Sequence, residues 1–517
     1  MTVEAILAQD FGHVADLIRV HAQRDPTHPA LIEAGHRLDF AELDLAMDRV
    51  AASLQRDGLG PDDSIAICAA NCIDYAVIFL GALRAGVTVA PLAPSSTAES
   101  LAAMLVDCRA PLLFLDDAAA RTLAPVLAQV AAQRVSINGG QAARPLVAWL
   151  APAGSRPQAV APQPDGAFNI IYSSGTTGTP KGIVQPYSMR WAHVQRSGVY
   201  GYGPETVTLL STPLYSNTTL VCFFPTIALG GCAVLMAKFD ARRYLELAAR
   251  HRVTHTMLVP VQYQRLMDLP DFADYDLSAF RVKFCTSAPF SAALKADILQ
   301  RWPGGLVEYY GMTEGGGTCI LAAHDHPDKL HTVGQPGPGH DIRLIDEQGR
   351  EVGAGQTGEV VGRSGAMMRG YHGLPEKTAE AEWYDAQGNR YIRTGDLGRF
   401  DEDGFLVLLD RKKDMIISGG FNIYPSDLEL LLREHPQVED CAVVGVASRR
   451  WGETPVAFVV RKPGATDSAD ELLAWVNARL GKTQRLAALQ VLASLPRSAI
   501  GKVLKRELRE TCTVSVD

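Results

Sequence analysis

Apolar residues recur at helix and strand spacings along the first half of the chain. Residues 41–56 carry them every three or four positions, which predicts an amphipathic helix. The residues of its apolar face are Leu43, Met47, Val50 and Leu54. The stretch 64–92 then predicts a strand, a helix that ends at Gly86 and a second strand. The same alternation recurs through 206–237 and 241–260, which favours an α/β body with largely parallel, buried strands.

The segment 206–237 carries no charged side chain over 32 residues, a length that would suit a membrane-spanning helix. Pro213, Pro225 and the pair Gly230 and Gly231 interrupt it. Because proline and glycine break a long helix, we expect a buried strand, a crossover helix and a second buried strand here, and no transmembrane segment.

The second half of the chain changes to shorter elements separated by turns. Residues 136–166, rich in proline, glycine and alanine, predict a surface connection, and short strands are expected from residue 341 onward. The charged cluster 410–414 then precedes a last segment that alternates strands with helices. We therefore predict an α/β fold with a large N-terminal multi-sheet domain, residues 1–410, and a small α+β C-terminal domain, residues 411–517.

Composition restricts the class of protein without naming it. The chain has 517 residues, 47% apolar and 21% charged, which is typical of a globular protein with more than one domain. The net charge of −8 argues against a nucleic-acid partner held by general electrostatics. Nine cysteines without a C-x-x-C pair indicate reduced thiols, and residues 1–12 lack the basic and apolar run of a signal peptide. We expect a cytoplasmic protein.

One glycine- and threonine-rich stretch carries candidate chemistry. The strand-like residues 168–174 lead into the sequence GTTGTPKG, residues 175–182. Glycine N–H groups can converge on an anion, threonine hydroxyls add donors and a lysine adds positive charge, which together favour a phosphate-binding loop. Pro180 before the lysine and Gly182 after it depart from the Walker A pattern. From these residues alone, a flexible surface turn is the alternative.

Five motifs in order make the chain resemble one family. They are SSGTTGTPKG (173–182), YYGMTE (309–314), RTGD (393–396), DRKKDMIISGGFNIYPSDLE (410–429) and PRSAIGKVLKREL (496–508). Together they resemble the acyl-adenylate-forming (AMP-binding) superfamily, which contains acyl- and aryl-CoA synthetases, the adenylation domains of peptide synthetases and firefly luciferase. The resemblance covers nearly the whole chain. It implies a large adenylate-forming N-terminal domain followed by a small, mobile C-terminal domain.

The resemblance assigns the nucleotide to particular residues. Loop residues expected at the ATP phosphates are Ser173, Ser174, Gly175, Thr176, Thr177, Gly178 and Lys181. Residues expected around the adenine base are Ser287, Ala288, Pro289, Tyr310, Gly311 and Met312. Thr313 resembles the residue that holds the α-phosphate, and Glu314 the carboxylate that binds Mg²⁺, a cation that prefers oxygen ligands. Asp396 resembles the acceptor of both ribose hydroxyls, with Arg411 expected nearby.

The C-terminal motifs resemble those that carry catalysis and coenzyme A. Lys502 is similar to the lysine that reaches the acid carboxylate and the α-phosphate, where an ammonium offsets the charge that develops during attack. Lys413 aligns with the hinge about which the C-terminal domain rotates between the two half-reactions. Residues similar to those beside the pantetheine channel of CoA ligases are Gly419, Gly420 and Phe421. By charge alone, 502–506 also fits a solvated basic helix face.

Two departures from the family pattern bear on the acid. Residues expected to line its pocket are Tyr215, Ser216, Tyr309, Gly315 and Gly316. Ser216 stands where many members carry a histidine, so Tyr215 or Asn217 is expected to take over its role. Tyr309 stands where long-chain and hydroxycinnamate ligases often carry glycine, and a bulky ring shortens the cavity, while the glycines restore some room on another side. The balance favours a compact aromatic or a short-to-medium-chain acid.

Other polar clusters have plainer interpretations. His251 and His255 have the i, i+4 spacing of a metal pair, but no glutamate lies between them and the second half is strand-like. His324, His326 and His331 fall in a polar loop, where solvation is expected. The sequence contains no G-x-S-x-G segment that would support an esterase nucleophile.

The sequence therefore predicts an ATP-dependent carboxylic acid–CoA ligase that forms AMP and pyrophosphate through an acyl-adenylate. Its predicted partners are a small-molecule carboxylic acid, ATP with Mg²⁺, and coenzyme A. A lysine acyltransferase acting on Lys502 and a monomeric or homodimeric state are further expectations. The alternatives are an enzyme that loads a free-standing carrier protein, a medium- or long-chain fatty acid–CoA ligase, a luciferase-like oxygenase and a non-catalytic nucleotide sensor. Intact Lys181, Glu314, Asp396 and Lys502 argue against the sensor.

Overall fold

The chain folds into two compact units. The computed structural model describes residues 2–140, 143–173, 180–418, 421–448, 451–481, 484–498 and 501–513. The first unit comprises Met1–Asp341 and Gly362–Ile392, and the second Ile342–Val361 and Arg393–Asp517. Residues 342–361 and 393–410 thus group with the C-terminal residues. The sequence had placed the domain boundary between residues 410 and 411.

Helices and strands alternate through most of the first unit. Within the described residues the α-helices are α1 Val3–Leu7, α2 Val14–Arg24, α3 Phe40–Arg56, α4 Ile73–Arg84, α5 Ala98–Asp107, α6 Asp117–Leu123, α7 Leu146–Trp149, α8 Tyr187–Ser197, α9 Asn217–Ala228, α10 Ala241–Arg250, α11 Pro260–Met267, α12 Ala292–Arg301, α13 Pro375–Glu380, α14 Pro425–Arg433, α15 Ala469–Asn477 and α16 Lys505–Glu510. Short 3₁₀ helices lie at Ala124–Gln129, Gly198–Tyr200 and Phe272–Asp274.

The strands share the chain with these helices and then dominate its second half. They are β1 Pro29–Glu33, β2 His36–Asp39, β3 Ser64–Cys68, β4 Thr88–Pro91, β5 Leu112–Leu115, β6 Gln133–Ser136, β7 Arg144–Pro145, β8 Ala167–Ser173, β9 Lys181–Pro186, β10 Val207–Leu210, β11 Cys232–Leu235, β12 His255–Leu258, β13 Val282–Cys285, β14 Gly305–Tyr310, β15 Cys319–Ala322, β16 Gln335–Pro336, β17 Asp341–Ile345, β18 Gly358–Arg363, β19 Gly370–Tyr371, β20 Glu382–Tyr384, β21 Arg390–Phe400, β22 Leu406–Arg411, β23 Ile416–Ser418, β24 Phe421–Ile423, β25 Val438–Ser448, β26 Gly452–Arg461 and β27 Ala488–Leu492.

The helix expected at 41–56 is α3, and its ends have local causes. The Asp39 side chain accepts from the Glu42 backbone N–H at 2.9 Å, and Glu42 accepts from the Asp39 N–H at 3.0 Å, which forms a capping box. Gly58, at a φ of 83°, follows the last turn. The predicted apolar face packs on α4, where Gly81 is needed because a Cβ there would lie 2.5 Å from Val50 Cβ.

Two sheets form the body of the first unit. The eight-stranded sheet has the order β19-β9-β8-β4-β3-β5-β6-β7, and the nine-stranded sheet the order β16-β15-β14-β13-β12-β10-β11-β1-β2. Strands β3–β6 of the one and β10–β14 of the other run parallel to one another, and β14 pairs antiparallel with β15. Strands β3, β4, β5, β11 and β12 are buried at every position. The predicted α/β body with parallel, buried strands is confirmed.

The uncharged segment 206–237 folds as β10, α9 and β11, with the two strands paired in parallel, as the sequence predicted. Pro225 lies inside α9, and Gly230 follows the helix at a φ of 88°. None of the helices in the described ranges combines the length and apolar character needed to cross a membrane.

The prediction that 136–166 is only a surface connection is wrong in part. Within it, β7 extends the eight-stranded sheet beside β6, and α7 places Trp149 in the core at 1% exposure. The Trp149 ring packs edge-on against Phe114 at 4.9 Å, and its Nε1 donates to Asp57 at 2.8 Å. The indole reaches partners far away in the sequence, which a local proline and glycine count does not register.

The second unit contains two sheet systems. Strands β17, β18, the later part of β21, and β22 form the first, in which β21 and β22 pair antiparallel. Strands β24, β23, β26 and β25 form the second, with β27 parallel to β26. Helices α14 and α15 cover the second sheet through Leu428, Leu432, Leu472 and Val476, which are buried against its apolar side chains. The alternation of strands and helices expected after the charged cluster 410–414 is therefore present.

Candidate active site

The residues expected around adenine follow the carboxyl ends of adjacent strands. In the first unit, β13 and β14 are parallel neighbours, with Cys285 opposite Glu308. Ser287 lies two residues after the end of β13, and Tyr310 is the last residue of β14. Because ligands of parallel sheets bind at the carboxyl ends of the strands, this edge is the expected place for a nucleotide.

Ser287 has a backbone conformation that few side chains tolerate. Its φ is 82°, in the left-handed region, and its hydroxyl pairs with the Thr218 hydroxyl at 2.7 Å. Thr218 lies on the first turn of α9, which follows β10 in the same sheet. The hydrogen bond therefore ties Ser287 to the helix that directly follows the predicted acid-pocket residues Tyr215 and Ser216.

Tyr371 joins two of the predicted phosphate-site residues. Its hydroxyl donates to Glu314 Oε1 at 2.8 Å, and the ammonium of Lys181 lies 5.2 Å from the centre of its ring. Strand β19 places it there by pairing with β9, with Tyr371 opposite Ile183. Burial and the Glu314 carboxylate raise the pKa of Tyr371, which keeps the phenol protonated as a donor. Tyr371 could not be predicted from the sequence, because nothing in its local pattern distinguishes it from other tyrosines.

The glycine- and threonine-rich loop connects β8 to β9, which pair antiparallel with Ser173 opposite Lys181. Its central residues, the predicted phosphate contacts Ser174, Gly175, Thr176, Thr177 and Gly178, lie outside the described residues. The strand pairing nevertheless fixes the two ends of the loop next to each other, so the chain reverses direction between them.

Thr313 and Glu314 follow β14 in a turn held from two sides. Gln185 Nε2 donates to the Thr313 carbonyl at 2.7 Å, and the Met368 N–H donates to the Glu314 carbonyl at 2.8 Å. Both residues are half-buried. Of the residues just before them, Gly311 is exposed, and Met312 packs against the small apolar cluster that contains Met368. These two hydrogen bonds hold the backbone of Thr313 and Glu314 in place and so limit where their side chains can point.

A Mg²⁺ ion with ATP would find a suitable ligand in Glu314. Tyr371 holds one carboxylate oxygen, and the second is available to a cation, while nucleotide phosphates and water can complete an octahedral shell. Over the described part of the chain, no group of three His, Cys, Asp or Glu side chains forms a metal site by itself. The residues therefore fit a magnesium ion that arrives with its nucleotide.

Tyr309 forms one wall of an aromatic group in the first unit. Its ring stacks on Phe284 at 5.6 Å and meets Tyr200 edge-on at 6.2 Å. Burial raises the pKa of Tyr309, so its hydroxyl stays protonated. Gly315, at a φ of 77°, accommodates the backbone of Ala366, whose carbonyl a Cβ would meet at 2.1 Å.

The other predicted acid-pocket residues lie between β10 and α9 and in the turn after β14. Burial raises the pKa of Tyr215, whose hydroxyl hydrogen-bonds with the Ser95 side chain. Ser216 is the N-cap residue of α9 but makes no side-chain capping hydrogen bond. Asn217 accepts from Arg190 Nη2 at 2.8 Å. At Gly316, whose φ is 84°, an added Cβ would lie 2.8 Å from the Gly362 carbonyl, so this glycine offers no room on that side.

In the second unit, Asp396 and Arg411 lie opposite each other on β21 and β22. Arg411 Nε is 3.0 Å from Asp396 Oδ1, and the Asp396 N–H donates to the Thr394 hydroxyl at 3.0 Å. Gly395 adopts a φ of 71° at this point, and its carbonyl accepts from the Lys412 N–H at 2.8 Å. The predicted proximity of these two residues is therefore present in the structure.

Lys502 lies at the end of a tight turn in the same unit. The Ser498 N–H donates to the Lys502 carbonyl at 2.8 Å, and the Lys502 N–H to the Ser498 hydroxyl at 3.2 Å. The residue is exposed overall, but protein atoms around its ammonium displace water, and Arg411 and Lys413 add positive charge. Together these effects lower the pKa of Lys502 to about 8.

Neighbouring basic residues are neutralised, whereas Lys502 is not. Lys505 Nζ lies 2.8 Å from Glu429, and Arg509 Nη2 lies 2.8 Å from Asp414. Lys502 makes no ion pair within 4.0 Å with a carboxylate of the described residues. Because Lys505 is ion-paired with Glu429, the side chains of 502–506 do not form a uniformly solvated basic face.

The remaining predicted residues of the second unit are placed only in part. Lys413 is exposed between Lys412, which pairs with Glu359 at 3.1 Å, and Asp414. Gly419 and Gly420 lie outside the described residues, and Phe421 begins β24. The predicted hinge and coenzyme A channel therefore stay predictions.

Two of the histidines considered as metal ligands make hydrogen bonds within the first unit. His255 is buried on β12, where its Nε2 contacts the Tyr200 carbonyl at 2.9 Å and its Nδ1 the Thr254 hydroxyl at 2.8 Å. His324 Nδ1 lies 3.0 Å from the Leu306 carbonyl.

All nine cysteines are free, and seven of them are buried. The predicted reduced thiols fit this arrangement.

Comparison with known proteins agrees with this geometry. Residues 18–372 match the family described as AMP-binding enzyme, and residues 427–502 match the AMP-binding enzyme C-terminal domain. A feruloyl-CoA synthase of an Amycolatopsis species is 33% identical over 94% of this chain and 96% of that protein. The fatty acid–[acyl-carrier-protein] ligase ScoC of Streptomyces coeruleorubidus is 32% identical over 95% of this chain and 94% of that protein.

A solved structure extends the likeness to three dimensions. ATP-bound MatB from Rhodopseudomonas palustris is 29% identical, with a TM-score of 0.87 over 96% of this chain and 98% of that chain. The fold class predicted from the sequence is thereby confirmed. The chain belongs to the AMP-binding enzyme family, whose acyl-adenylate-forming members the five sequence motifs resemble.

Proposed function

We propose that this enzyme is an AMP-forming carboxylic acid–CoA ligase that acts on a compact aromatic acid. The observation that carries the proposal is the free ammonium of Lys502 beside Asp396 and Arg411, while the nearby Lys505 and Arg509 are both ion-paired. An unpaired cation held next to a candidate ribose site is suited to a reaction in which negative charge develops.

In the first half-reaction an oxygen of the acid carboxylate attacks the α-phosphorus of ATP, and the bond to pyrophosphate breaks. Thr313 and Lys181 hold the phosphates, and Lys502 offsets the charge on the carboxylate and the α-phosphate. Asp396 accepts hydrogen bonds from the ribose, and Tyr310 stacks on adenine. Mg²⁺, held by Glu314, supplies charge neutralisation for the phosphates.

In the second half-reaction the coenzyme A sulfur attacks the acyl carbon, the bond between that carbon and the phosphate oxygen breaks, and AMP leaves. The thiol proton passes to solvent. One site cannot hold Lys502 against the phosphate and admit the thiol from the same side, so residues from 411 onward rotate about Lys413 between the steps. Gly419, Gly420 and Phe421 then flank the pantetheine.

Two features favour an aromatic acid. Tyr309, Tyr200 and Phe284 form an aromatic wall beside β14, and flat rings pack well against such walls. The similar protein from Amycolatopsis is named a feruloyl-CoA synthase, and a feruloyl group is aromatic.

Nine free cysteines support a reducing compartment, and we place the enzyme in the cytoplasm.

The test follows acid-dependent ATP–pyrophosphate exchange and acyl-CoA formation over aryl, hydroxycinnamic and C3–C12 aliphatic acids. We expect CoA-dependent turnover with an aromatic acid. Lys502→Ala should lower adenylation by roughly 10²-fold or more and spare thiolation of a supplied acyl-adenylate, because only the first step develops charge next to the ammonium. The control is Lys462→Ala, an exposed lysine of the same unit. Equal loss in both half-reactions would contradict the role of Lys502.

A carrier protein is the second candidate acceptor, since ScoC is named as an acyl-carrier-protein ligase. Both acceptors present a phosphopantetheine thiol, so the first half-reaction is common to the two. Exchange that proceeds without acyl-CoA product, together with acylation of a holo carrier protein, would move the proposal to this acceptor. Faster transfer to coenzyme A than to a carrier protein would retain the ligase.

A further inference from the structure

Gln185 lies on β9, the strand that follows the glycine- and threonine-rich loop, and its side chain is buried at 0% exposure. Its Nε2 donates to the Thr313 carbonyl at 2.7 Å and to Asn217 Oδ1 at 3.3 Å. Its Oε1 accepts from Asn169 Nδ2 at 3.0 Å and from Arg190 Nη2. Because an amide offers two N–H donors and two acceptor lone pairs, every bonding position of the Gln185 side chain is used.

Arg190 determines which way the Gln185 amide faces. A guanidinium has N–H donors and no acceptor, so each side-chain atom that bonds to Arg190 is an oxygen. Arg190 Nη2 donates to Asn169 Oδ1 at 3.2 Å and to Asn217 Oδ1 at 2.8 Å, in addition to Gln185 Oε1. The nitrogen of the Gln185 amide is therefore turned away from Arg190 and towards the Thr313 carbonyl, where a donor is required.

Arg190 is buried at 1% exposure and forms no ion pair with a carboxylate of the described residues. Burial lowers the pKa of Arg190 to about 9, which leaves it cationic at neutral pH. A buried charge without an anion is costly, and a carboxylate at position 185 would neutralise it. That carboxylate would, however, turn an acceptor towards the Thr313 carbonyl. The glutamine thus forgoes an ion pair and keeps the donor to Thr313.

The network joins two segments that the family motifs assign to the ATP phosphates. Asn169 and Gln185 face each other across the antiparallel pair β8 and β9, which the glycine- and threonine-rich loop connects. Lys181 begins β9, four residues before Gln185. Thr313 follows β14, which belongs to the nine-stranded sheet, whereas β8 and β9 belong to the eight-stranded sheet. The hydrogen bond from Gln185 therefore links the strands of the loop directly to the turn of Thr313.

The Thr313 side chain is placed by its backbone. Its hydroxyl has no hydrogen-bond partner among the described residues, and the residue lies in a half-buried turn. On the other side of the turn, the Met368 N–H donates to the Glu314 carbonyl at 2.8 Å. Loss of the Gln185 donor would leave the Thr313 carbonyl without this partner and allow the turn to shift. A displacement of about 1 Å is enough to slow a reaction by about 10²-fold.

We propose that Gln185, oriented by Arg190, is a positioning residue for Thr313 and thereby determines how strongly the site binds the α-phosphate. The inference rests on the proposed acid–CoA ligase function, in which Thr313 holds that phosphate, and deepens it. Both side chains are buried, so they act through the Thr313 backbone and not by contact with the nucleotide. The affinity for the adenosine part of the nucleotide should not depend on them.

The test compares the affinities of the full chain for AMP and for adenosine, two ligands that differ only by the α-phosphate. Calorimetric titration measures both. We expect the wild type to prefer AMP and Gln185→Glu to reduce that preference by about 10-fold, the scale of one hydrogen bond next to a charged group. Glutamate keeps the acceptor for Arg190 and removes the donor to the Thr313 carbonyl. An unchanged preference in Gln185→Glu would overturn the proposal, as would a wild type that binds both ligands equally.

Two further comparisons separate the position of Thr313 from the charge that glutamate adds. In a Thr313→Val background, which lacks the hydroxyl, Gln185→Glu should have no further effect on the AMP preference, because the two residues act through one contact. An equal loss in both backgrounds would assign the effect to the added charge and reject the positioning role. Gln185→Met lacks the donor and adds no charge, so it should repeat the loss. A full AMP preference in Gln185→Met would also reject the role.

The matched control is Gln262→Glu. Gln262 is a buried glutamine of the same unit, and its Oε1 accepts from the Val259 N–H at 3.2 Å, which a carboxylate oxygen can also do. This variant should bind AMP and adenosine as the wild type does. An equal loss of AMP preference in the control would reveal a general effect of a buried glutamate and reject the role of Gln185. Circular dichroism checks folding, and if Gln185→Met does not fold, Gln185→Glu in the two backgrounds decides the outcome.

Failure of the inference is distinguishable from failure of the proposed function. In Gln185→Glu, kcat/KM for ATP in acid-dependent pyrophosphate exchange should fall by about 10-fold, in step with the AMP preference. Exchange at the wild-type rate in this variant leaves the ligase intact and rejects the positioning role. If no acid supports exchange in the wild type, the ligase proposal fails. The comparison of AMP with adenosine then tests Gln185 by itself, since it needs neither an acid nor coenzyme A.

Discussion

Tyr371 donates its phenolic hydrogen bond to Glu314 at 2.8 Å. The two residues are 57 positions apart, and strand β19 brings them together by pairing with β9 at the end of the glycine-rich loop. The same ring lies 5.2 Å from the Lys181 ammonium. A single aromatic side chain therefore orients the candidate magnesium ligand and contacts the lysine expected at the phosphates.

Tyr371→Phe should weaken the use of Mg²⁺–ATP while the protein stays folded. The substitution keeps the ring under Lys181 and removes only the hydrogen bond to the Glu314 carboxylate, a charged hydrogen bond, so we expect a loss of about 10-fold in apparent Mg²⁺ affinity. Magnesium titrations of pyrophosphate exchange measure it. Tyr384→Phe is the matched control, because Tyr384 donates to Glu382 at 2.9 Å on the surface. An unchanged magnesium dependence in Tyr371→Phe would exclude this role.

Adenylation should lose activity at alkaline pH as the Lys502 ammonium loses its proton. Its pKa is about 8, and the ammonium is the active form, so kcat/KM for ATP should fall as pH rises through about 8. This parameter reports the free enzyme, before ATP adds negative charge beside the lysine. Profiles of wild type, Lys502→Ala and Lys462→Ala test the assignment. A limb that survives in Lys502→Ala belongs to another group.

Acylation of Lys502 should inactivate the first half-reaction. An acyl group removes the positive charge of the Lys502 ammonium, on which the first half-reaction depends. Quantitative acetylation at this position, introduced during synthesis of the protein, should lower pyrophosphate exchange by roughly 10²-fold, as loss of a preorganised charge would. Thiolation of a supplied acyl-adenylate should continue. Full exchange activity in the acetylated enzyme would refute this form of control.

Tyr309→Ala should widen the range of acids. The ring stacks on Phe284 and meets Tyr200, so its removal opens the aromatic wall on the side where a longer acid would extend. We expect kcat/KM for C10–C12 acids to rise relative to benzoate-sized acids by about 10-fold, the low end of what a single methylene contributes in an apolar pocket. Tyr384→Ala serves as the surface control. A uniform loss for all acids would show that Tyr309 supports the fold and does not set acid size.

Trp149→Ala should destabilise the first unit. The indole is at 1% exposure, packs on Phe114 and donates to Asp57, so a large cavity and an unpaired acceptor would remain. Truncation of a buried tryptophan costs about 3–5 kcal/mol. Urea unfolding followed by circular dichroism measures the shift in midpoint. Val147→Ala, in the same helix with a side chain at 76% exposure, should change little. A small effect of Trp149→Ala would show that Trp149 contributes little to the core and that 136–166 acts only as a surface connection.

Much of the fold could be predicted from local pattern. The apolar spacing that predicted α3, and the proline and glycine interruptions that divided 206–237, describe periodic burial, which a chain shows residue by residue. Trp149 could not be placed in this way, because its partners Phe114 and Asp57 come from other elements. Its burial depends on where those elements pack.

The candidate site also has features that the sequence predicted and features that only the tertiary structure decided. The sequence by itself determined the family, through five motifs whose residue types suit a nucleotide phosphate, a ribose and a carboxylate. Only the tertiary structure decided that Tyr371 orients Glu314 and that Lys502 has no ion pair within the described residues while Lys505 has one. Motifs record which groups are present, but hydrogen bonds, desolvation and missing counter-charges depend on distances between residues that are remote in sequence.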